Sequence, residues 1–315
     1  MNGIMKNDTM FSANGIRPWQ GLGVILDNPP TSEDAIIMAG LDWEVKAKPV
    51  YTSIGGKKVA IDNYIANVRS DTNDVLGIVS GKYNICQNKE AFSFVDSIMG
   101  QQEIPVKYES AGSLFNGKKV WMLARMENSM VLGDEVENYL CFSNSHDGKG
   151  SIKVFCTSVR VVCNNTLQFA IKSAKRMWSV KHMGTLEARK LEAMETLGLA
   201  TNYFKAMEQT AEDMYTIKVD WGKFLDELVP VKAEGSDRIK RNNEFVRNTL
   251  TDIYNNKDDL GNIRGTAYGA FNAVADFYSN VAPLRNAPTY KERKFDEFIS
   301  TSSLLEKAQN ILMVA

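Results

Sequence analysis

Histidine is scarce in this chain: only two of its 315 residues, His146 and His182, are histidines. Neither has a second histidine or a cysteine at the spacing of metal ligands, which excludes a histidine-rich metal centre. A single histidine still qualifies chemically as a general base or a metal ligand, but the surrounding sequence supplies no partner for that role. We therefore predict no catalytic residue, no metal and no cofactor.

Cysteine pairs and long apolar runs are also missing. The four cysteines stand singly in apolar surroundings, as is typical of buried, reduced thiols in a cytoplasmic protein. They are Cys86, Cys141, Cys156 and Cys163. No apolar run approaches the roughly 18 residues of a membrane span, and residues 1–15 lack the apolar core of a secretory signal. We therefore expect a cytoplasmic protein without a membrane partner.

Proline is absent between Pro105 and Pro230, which favours central strands and long helices there. Up to about residue 183 the chain consists of short alternating segments divided by turns, whereas from residue 184 apolar residues recur at helical spacing. We predict an α+β fold: an N-terminal antiparallel β-meander sheet backed by helices, followed by a mainly helical C-terminal region. The corresponding domains are 1–183 and 184–315, the second packing on or extending from the first.

Turn and cap residues locate the individual elements. Gly55-Gly56 predicts a hairpin, and Asn116-Gly117 and Asp147-Gly148 predict turns of the meander. Asn88 is placed to cap a helix. The predicted strands are 43–52, 57–69, 75–86, 104–112, 118–126, 137–144, 150–157 and 178–182. The predicted helices are a short one between Thr31 and Gly40, then 89–99, 158–174, 185–215, 236–254, 267–281 and 290–314.

Acidic residues are nearly absent from residues 149–190, which contain nine Lys/Arg and one acid, Glu187. The segment has a formal charge of +8, although the whole chain has 37 basic and 38 acidic residues and a net charge of −1. Segregated positive charge attracts polyanions, and nucleic acid is the commonest of these. Trp178 adds a flat ring on which a base can stack.

The predicted helix 158–174 would bring four polar residues, Arg160, Asn164, Gln168 and Lys172, onto one stripe. Such a stripe is either a solvated helix face or a row of donors facing an anion, and Arg160 is the best phosphate ligand in it. The predicted nucleic-acid-binding residues are Lys149, Lys153, Arg160, Asn164, Lys172, Lys175, Arg176, Trp178 and Lys181.

A second possible phosphate contact lies in Gly112–Lys119, which has the spacing of a phosphate-binding loop, G-x-x-x-x-G-K. The following position should be Ser or Thr and is Lys119, and the next residues favour a strand where a helix should begin. The segment therefore predicts a hairpin tip, at which Lys118 and Lys119 remain available to a phosphate backbone.

Several short motifs resemble those of the phage/plasmid-like protein family, a domain of unknown function. They are Pro18–Gly23, Ala39–Trp43, Tyr83–Asn88, Ser143–Gly148 and Arg160–Leu167. The resemblance covers most of residues 15–200 and implies a protein of a phage, prophage or plasmid acting in a bacterial cell. The predicted meander backed by a helix is also similar in architecture to the single-strand annealing recombinases of phages.

Three functions follow as hypotheses. The first is binding of single-stranded DNA, with annealing, by a homo-oligomer that performs no covalent chemistry. The second is a protein-interaction factor, such as an inhibitor of a host defence complex, because the apolar stripe from Leu197 to Met214 suits either a core face or a partner helix. The third is a metal-dependent nuclease assembled from distant carboxylates.

Overall fold

The structure is a computed structural model that describes residues 8–13, 23–99, 106–160, 165–167, 177–185, 187–189, 191–192, 200–231, 236–281 and 303–314. These residues form two compact units, and both are discontinuous in sequence. The first unit draws on residues 1–126, 139–156 and 176–199, and the second on 127–138, 157–175 and 200–315. The predicted boundary after residue 183 lies inside the last segment of the first unit. Antiparallel sheets and helices together confirm the α+β class.

The strands are β1 (Met10–Ala13), β2 (Val24–Leu26), β3 (Val45–Ile54), β4 (Lys57–Arg69), β5 (Val75–Ser80), β6 (Tyr108–Leu114), β7 (Lys119–Arg125), β8 (Ser129–Val131), β9 (Asp134–Ser145), β10 (Ile152–Arg160), β11 (Asn165–Leu167) and β12 (Met177–Val180). In the first unit one sheet has the order β10-β9-β7-β6-β1-β2, with β12 also paired to β10. A separate antiparallel sheet has the order β3-β4-β5.

The helices are α1 (Ser32–Met38), α2 (Asn88–Met99), α3 (Ala200–Thr216), α4 (Trp221–Leu228), α5 (Asp237–Asn256), α6 (Ala267–Asp276) and α7 (Ser303–Val314). A short π-helix, Phe277–Val281, extends α6. Most predicted helices are confirmed within the described residues; α4 was not predicted. No helix in the described ranges has both the length and the apolar content needed to cross a membrane.

The core of the first unit lies where α2 packs on the meander. Phe94 of α2 contacts Phe142 of β9 and Trp178 of β12, with ring centroids 6.3 and 5.8 Å apart. Phe92 packs on Tyr108 of β6 in the same way. Phe92 and Val95, three positions apart, are both buried, as the apolar spacing of α2 predicts, whereas Phe94, two positions after Phe92, is buried without being part of that predicted face.

The predicted helix 158–174 is wrong in its described part. Ser158–Arg160 ends strand β10, and Asn165–Leu167 forms β11, which pairs antiparallel with it. Apolar residues three and four apart suggested a helix, but Val159 and Thr166 are β-branched and lie opposite each other in this ladder. The remaining residues of that prediction lie outside the described residues.

The core of the second unit surrounds α6, in which every residue from Ala267 to Asp276 is buried. Helices α3, α5 and α7 pack against it. Met207, Ala211 and Met214 of α3 are fully buried, so the predicted apolar stripe is a core face in its described part. Trp221 of α4 stacks on Tyr254 of α5 with ring centroids 3.9 Å apart.

Candidate nucleic-acid interface

The sheet β3-β4-β5 leaves one of its faces uncovered. Ladder partners point to the same side of a sheet, and Lys46 pairs with Val68 while Lys48 pairs with Ala66. Ile78 and Ser80 of β5 lie opposite Ala66 and Tyr64. We call this surface the open sheet face, formed by Lys46, Lys48, Tyr64, Ala66, Val68, Ile78 and Ser80. Tyr64 is 53% exposed and Ile78 60% exposed, and both lysines are exposed.

The opposite face of the same sheet is buried around Val45, Asn67 and Val79 against the rest of the first unit. Val45, Asn67 and Val79, which alternate with the residues of the open sheet face, are all buried. The Asn67 Nδ2 atom donates a hydrogen bond to the His146 carbonyl oxygen at 2.8 Å. A Cβ atom on Gly77 would lie 2.6 Å from the Asp147 backbone, so only glycine permits this close approach. The sheet is thus fixed on one side while its other side faces solvent.

Beyond this sheet β3 and β4 continue as a two-stranded extension. We call residues 50–63 the hairpin arm; Asn63, at the irregularity of the ladder, has a φ of 65°. Its tip is the predicted Gly55-Gly56 turn, where both glycines have positive φ. Lys58 places its ammonium 4.2 Å from the centroid of the Tyr51 ring, a cation–π contact.

Besides Arg160 at the end of β10, the described cations of the predicted set are Lys149, Lys153 and Lys181, which lie on the strand pair β10–β12 and in the turn before it. Lys153 lies opposite Ser179 in that ladder and is half-buried. Lys181 follows β12 and is exposed, and Lys149 is exposed in the turn between β9 and β10. The structure therefore brings Lys153 and Lys181 to one strand pair of the first unit, the same unit that has the open sheet face.

The prediction that Trp178 offers an open stacking surface is contradicted. Its side chain is 4% exposed and stacks on Phe94 in the core of the first unit. The basic residues flanking it in sequence suggested exposure, but β12 alternates: Met177 and Ser179 face solvent while Trp178 points inward.

The predicted stripe on one helix face is not formed, because Arg160 ends strand β10. Four of the predicted nucleic-acid-binding residues, Asn164, Lys172, Lys175 and Arg176, and Gln168 of the predicted stripe lie outside the described residues.

The segment Gly112–Lys119 is a hairpin tip between β6 and β7, as the sequence predicts. The Gly117 amide, which a phosphate would need, donates instead to the Asp8 carboxylate at 2.9 Å. Ser113 donates to the same carboxylate oxygen. Lys119 is only 8% exposed, which contradicts its predicted contact with a phosphate backbone, whereas Lys118 is half-buried.

Residues of three sequence motifs meet around His146, which is completely buried. The His146 Nε2 atom lies 3.1 Å from the Asn88 Oδ1 atom, and Asn88 Nδ2 donates to the Leu41 carbonyl at 3.0 Å. Trp43 packs its ring edge-on against His146. The Cζ atom of Arg69 lies above the Trp43 ring, 4.5 Å from its centroid. The predicted capping role of Asn88 is thus wrong, because its side chain joins separate segments of the chain.

A second set of contacts ties the Tyr83–Asn88 motif to His182. The rings of Tyr83 and His182 stack at 4.3 Å, and His182 Nδ1 lies 3.2 Å from the Asn84 carbonyl oxygen. The Tyr83 hydroxyl donates to the Ser145 carbonyl at 2.6 Å. Asn144 Nδ2 donates to the Cys86 carbonyl at 3.0 Å. These bonds hold the β9–β10 turn and the segment after β12 against the same loop.

Burial controls the protonation of both histidines. Burial, with a smaller contribution from His182, lowers the pKa of His146 to about 3. Burial also lowers the pKa of His182, partly offset by its hydrogen bond to Asn84 and by Asp147. Burial raises the pKa of the Tyr83 hydroxyl and of the Cys86 thiol. All four groups are therefore neutral at pH 7, which suits a structural network.

A cavity of about 430 Å³ opens beside this network. Its lining is mixed: Asn84, Glu90, Ser93 and Thr185 supply polar atoms, and Phe94 and Ile152 supply apolar surface. Within the described residues no three His, Cys, Asp or Glu side chains group as ligands for a metal ion.

The sequence signal for the open sheet face was present but incomplete. Alternation around Gly55-Gly56 predicted the two strands, and the lysines at positions 46 and 48 share one side of a strand by period two. Which side is buried depends on contacts with residues near 146, about 80 positions further along the chain. Sequence alternation alone does not supply that information.

Together the fold and this surface define an α+β protein with a basic, partly apolar sheet face that is open to solvent. The chain belongs to the family described as a domain of unknown function (DUF932), whose model matches residues 75–298, more than half of the chain. The match includes the Tyr83–Asn88 and Ser143–Gly148 motifs, which form the buried polar network. No curated protein and no solved structure matches the chain.

Proposed function

We propose that this protein binds single-stranded DNA and anneals complementary strands during recombination or replication of a phage or plasmid. The observation that carries the proposal is the open sheet face, where exposed Lys46 and Lys48 share one side of the sheet with the exposed ring of Tyr64. Lysines neutralise backbone phosphates, and an aromatic ring on a sheet provides a stacking surface for bases of any sequence.

The resemblance to the phage/plasmid-like family supports the mobile-element setting. Lys149, Lys153 and Lys181 of the same unit supply further positive charge. Annealing requires only that two backbones be neutralised while their bases stay accessible, so it is compatible with the absence of a predicted catalytic residue.

The test compares Lys46→Gln/Lys48→Gln with the unaltered protein in fluorescence anisotropy titrations of a labelled single-stranded oligonucleotide. Losing two phosphate contacts should weaken binding roughly 25-fold near 0.1 M salt. Annealing of two complementary oligonucleotides, followed by fluorescence transfer, should slow in parallel.

The matched control is Lys205→Gln/Lys240→Gln, which makes the same charge change at two exposed helix positions of the second unit. It should bind as the unaltered protein does. Equal weakening by both variants would mean that only net charge matters, and absence of binding by the unaltered protein would refute the proposal.

A further inference from the structure

Strand β3 runs from the open sheet face into the hairpin arm without a break. It extends from Val45 to Ile54, and none of its residues has a positive φ. The irregularity of the β3–β4 ladder is an insertion in β4, whose residues 61–64 lie opposite Val50 alone. The Gly81 amide, just after β5, donates a hydrogen bond to the Asn63 carbonyl oxygen at 2.8 Å and ties the base of the arm to the three-stranded sheet. Side chains therefore alternate regularly along β3 from the sheet into the arm.

One side of the arm extends the open sheet face. Lys48 lies on that face, and by the period of two Thr52 and Ile54 lie on the same side of β3. Ladder partners share a side, so Val59, opposite Thr52, and Lys57, opposite Ile54, belong to it as well. We call Thr52, Ile54, Lys57 and Val59 the track side of the arm.

The other side of the arm carries Tyr51, Ser53, Lys58 and Ala60. Lys58 contacts the Tyr51 ring on this side. Lys57 and Lys58 are thus neighbours in sequence and both exposed, but they project from opposite sides of the ribbon. A partner that lies along one side of the arm distinguishes between them.

The track side suits an extended polyanion. The path along β3 from Lys46 to Ile54 is about 27 Å long, at about 3.4 Å per residue, and has cations at both ends. The one acid of residues 50–63 is Asp62, which lies in the insertion of β4. Ile54 and Val59, 63 and 42% exposed, add apolar surface to this path. Exposed apolar side chains bordered by polar ones mark interaction sites.

We propose that a bound single strand of DNA continues from the open sheet face along the track side of the hairpin arm, with Lys57 as a further phosphate contact. The phosphates of a stacked strand are about 3.4 Å apart along its axis, so a path of this length accommodates several of them. The ribbon twists, and the bound strand follows its track side as that side turns. The contact on the arm rests on the proposed binding of single-stranded DNA and adds a second part to its site.

A charge removed from either side of the arm tests this contact. Binding of a labelled single-stranded oligonucleotide is measured by fluorescence anisotropy for Lys57→Gln and for Lys58→Gln. Lys57→Gln should weaken binding roughly fivefold near 0.1 M salt and reduce the salt slope by about 0.7, the effect of one phosphate contact. Lys58→Gln makes the same charge change on the other side and should bind within about twofold of the unaltered protein, because salt screens a charge that makes no contact.

A charge added to either side gives a result that a misfolded variant does not imitate. Thr52→Lys places a cation on the track side between Lys48 and Lys57 and should strengthen binding roughly fivefold. Ser53→Lys is the matched control on the other side, and it should bind within about twofold of the unaltered protein.

Equal effects of the two variants in either pair would overturn the contact on the arm, since binding would then respond to net charge alone. Normal binding by Lys57→Gln would overturn it too. If Lys46→Gln/Lys48→Gln weakens binding while the arm variants change nothing, the proposed function stands and the contact on the arm alone is wrong. An unaltered protein that does not bind single-stranded DNA would overturn both.

Discussion

At the residue scale, residues of the segments Ala39–Trp43, Tyr83–Asn88 and Ser143–Gly148 hold distant parts of the chain together. Asn88 bonds Leu41 and His146, which lie 47 and 58 positions away in sequence. The sequence indicated a helix cap for Asn88 because local patterns reveal only local partners. At the start of α2 the Glu90 carboxylate instead accepts the Gln87 amide at 2.9 Å. The resemblance was enough to single out these residues in the sequence. Which of them bond to each other is visible only in the folded structure.

The buried histidine predicts a pH-dependent stability. The pKa of His146 is about 3 in the folded state and near 6.5 when unfolded, so the unfolded chain binds more protons between those values. The free energy of unfolding is therefore highest, as far as His146 is concerned, above pH 6.5. It decreases as the pH falls from 6.5 toward 3. Urea unfolding should show a loss of about 2 kcal/mol from this residue on going from pH 7.5 to 5.

The variant His146→Gln should have a flatter dependence of unfolding free energy on pH over that interval, because it has no imidazole to protonate. Burial also lowers the pKa of His182, so His182 still makes the free energy of unfolding depend on pH in this variant. An identical loss in variant and unaltered protein would show that His146 does not titrate on unfolding.

At the element scale, the accuracy of sequence patterns depended on what surrounds each segment. The β3–β4 hairpin was predictable because Gly55 and Gly56 adopt the positive φ that its turn requires. The sequence predicts a helix where the β10–β11 ladder forms, since Val159 and Leu167 also fit helical spacing. The spacing of apolar residues along the sequence does not distinguish a short buried strand from a helix. The hydrogen-bonded pairing of strands in the structure makes that distinction.

The open sheet face predicts separate roles for the ring and hydroxyl of Tyr64. Tyr64→Ala should weaken binding of single-stranded DNA by roughly tenfold through loss of stacking. Tyr64→Phe keeps the ring and should bind nearly normally. Because Tyr64 is exposed, neither change should alter the thermal midpoint greatly, which a melting curve checks. Equal loss in both variants would favour a hydrogen bond over stacking.

At the scale of the whole molecule, charge is segregated although the total is close to zero. The sequence locates positive charge in residues 149–190, and its described cations Lys149, Lys153, Lys181 and Arg189 lie in the first unit. The lysines of the open sheet face lie about 100 positions earlier, and only the folded sheet shows that they share a solvent-facing surface. Charge counting along a chain detects clusters in sequence and misses those that a sheet assembles.

The most direct test of the central claim is the salt dependence of single-stranded DNA binding, between about 50 and 200 mM salt. The logarithm of the binding constant should fall linearly with the logarithm of salt concentration. Each phosphate contact contributes about 0.7 to the slope, so Lys46→Gln/Lys48→Gln should reduce its magnitude by about 1.4. Binding that is absent at low salt, or a slope that the double variant leaves unchanged, would contradict the account.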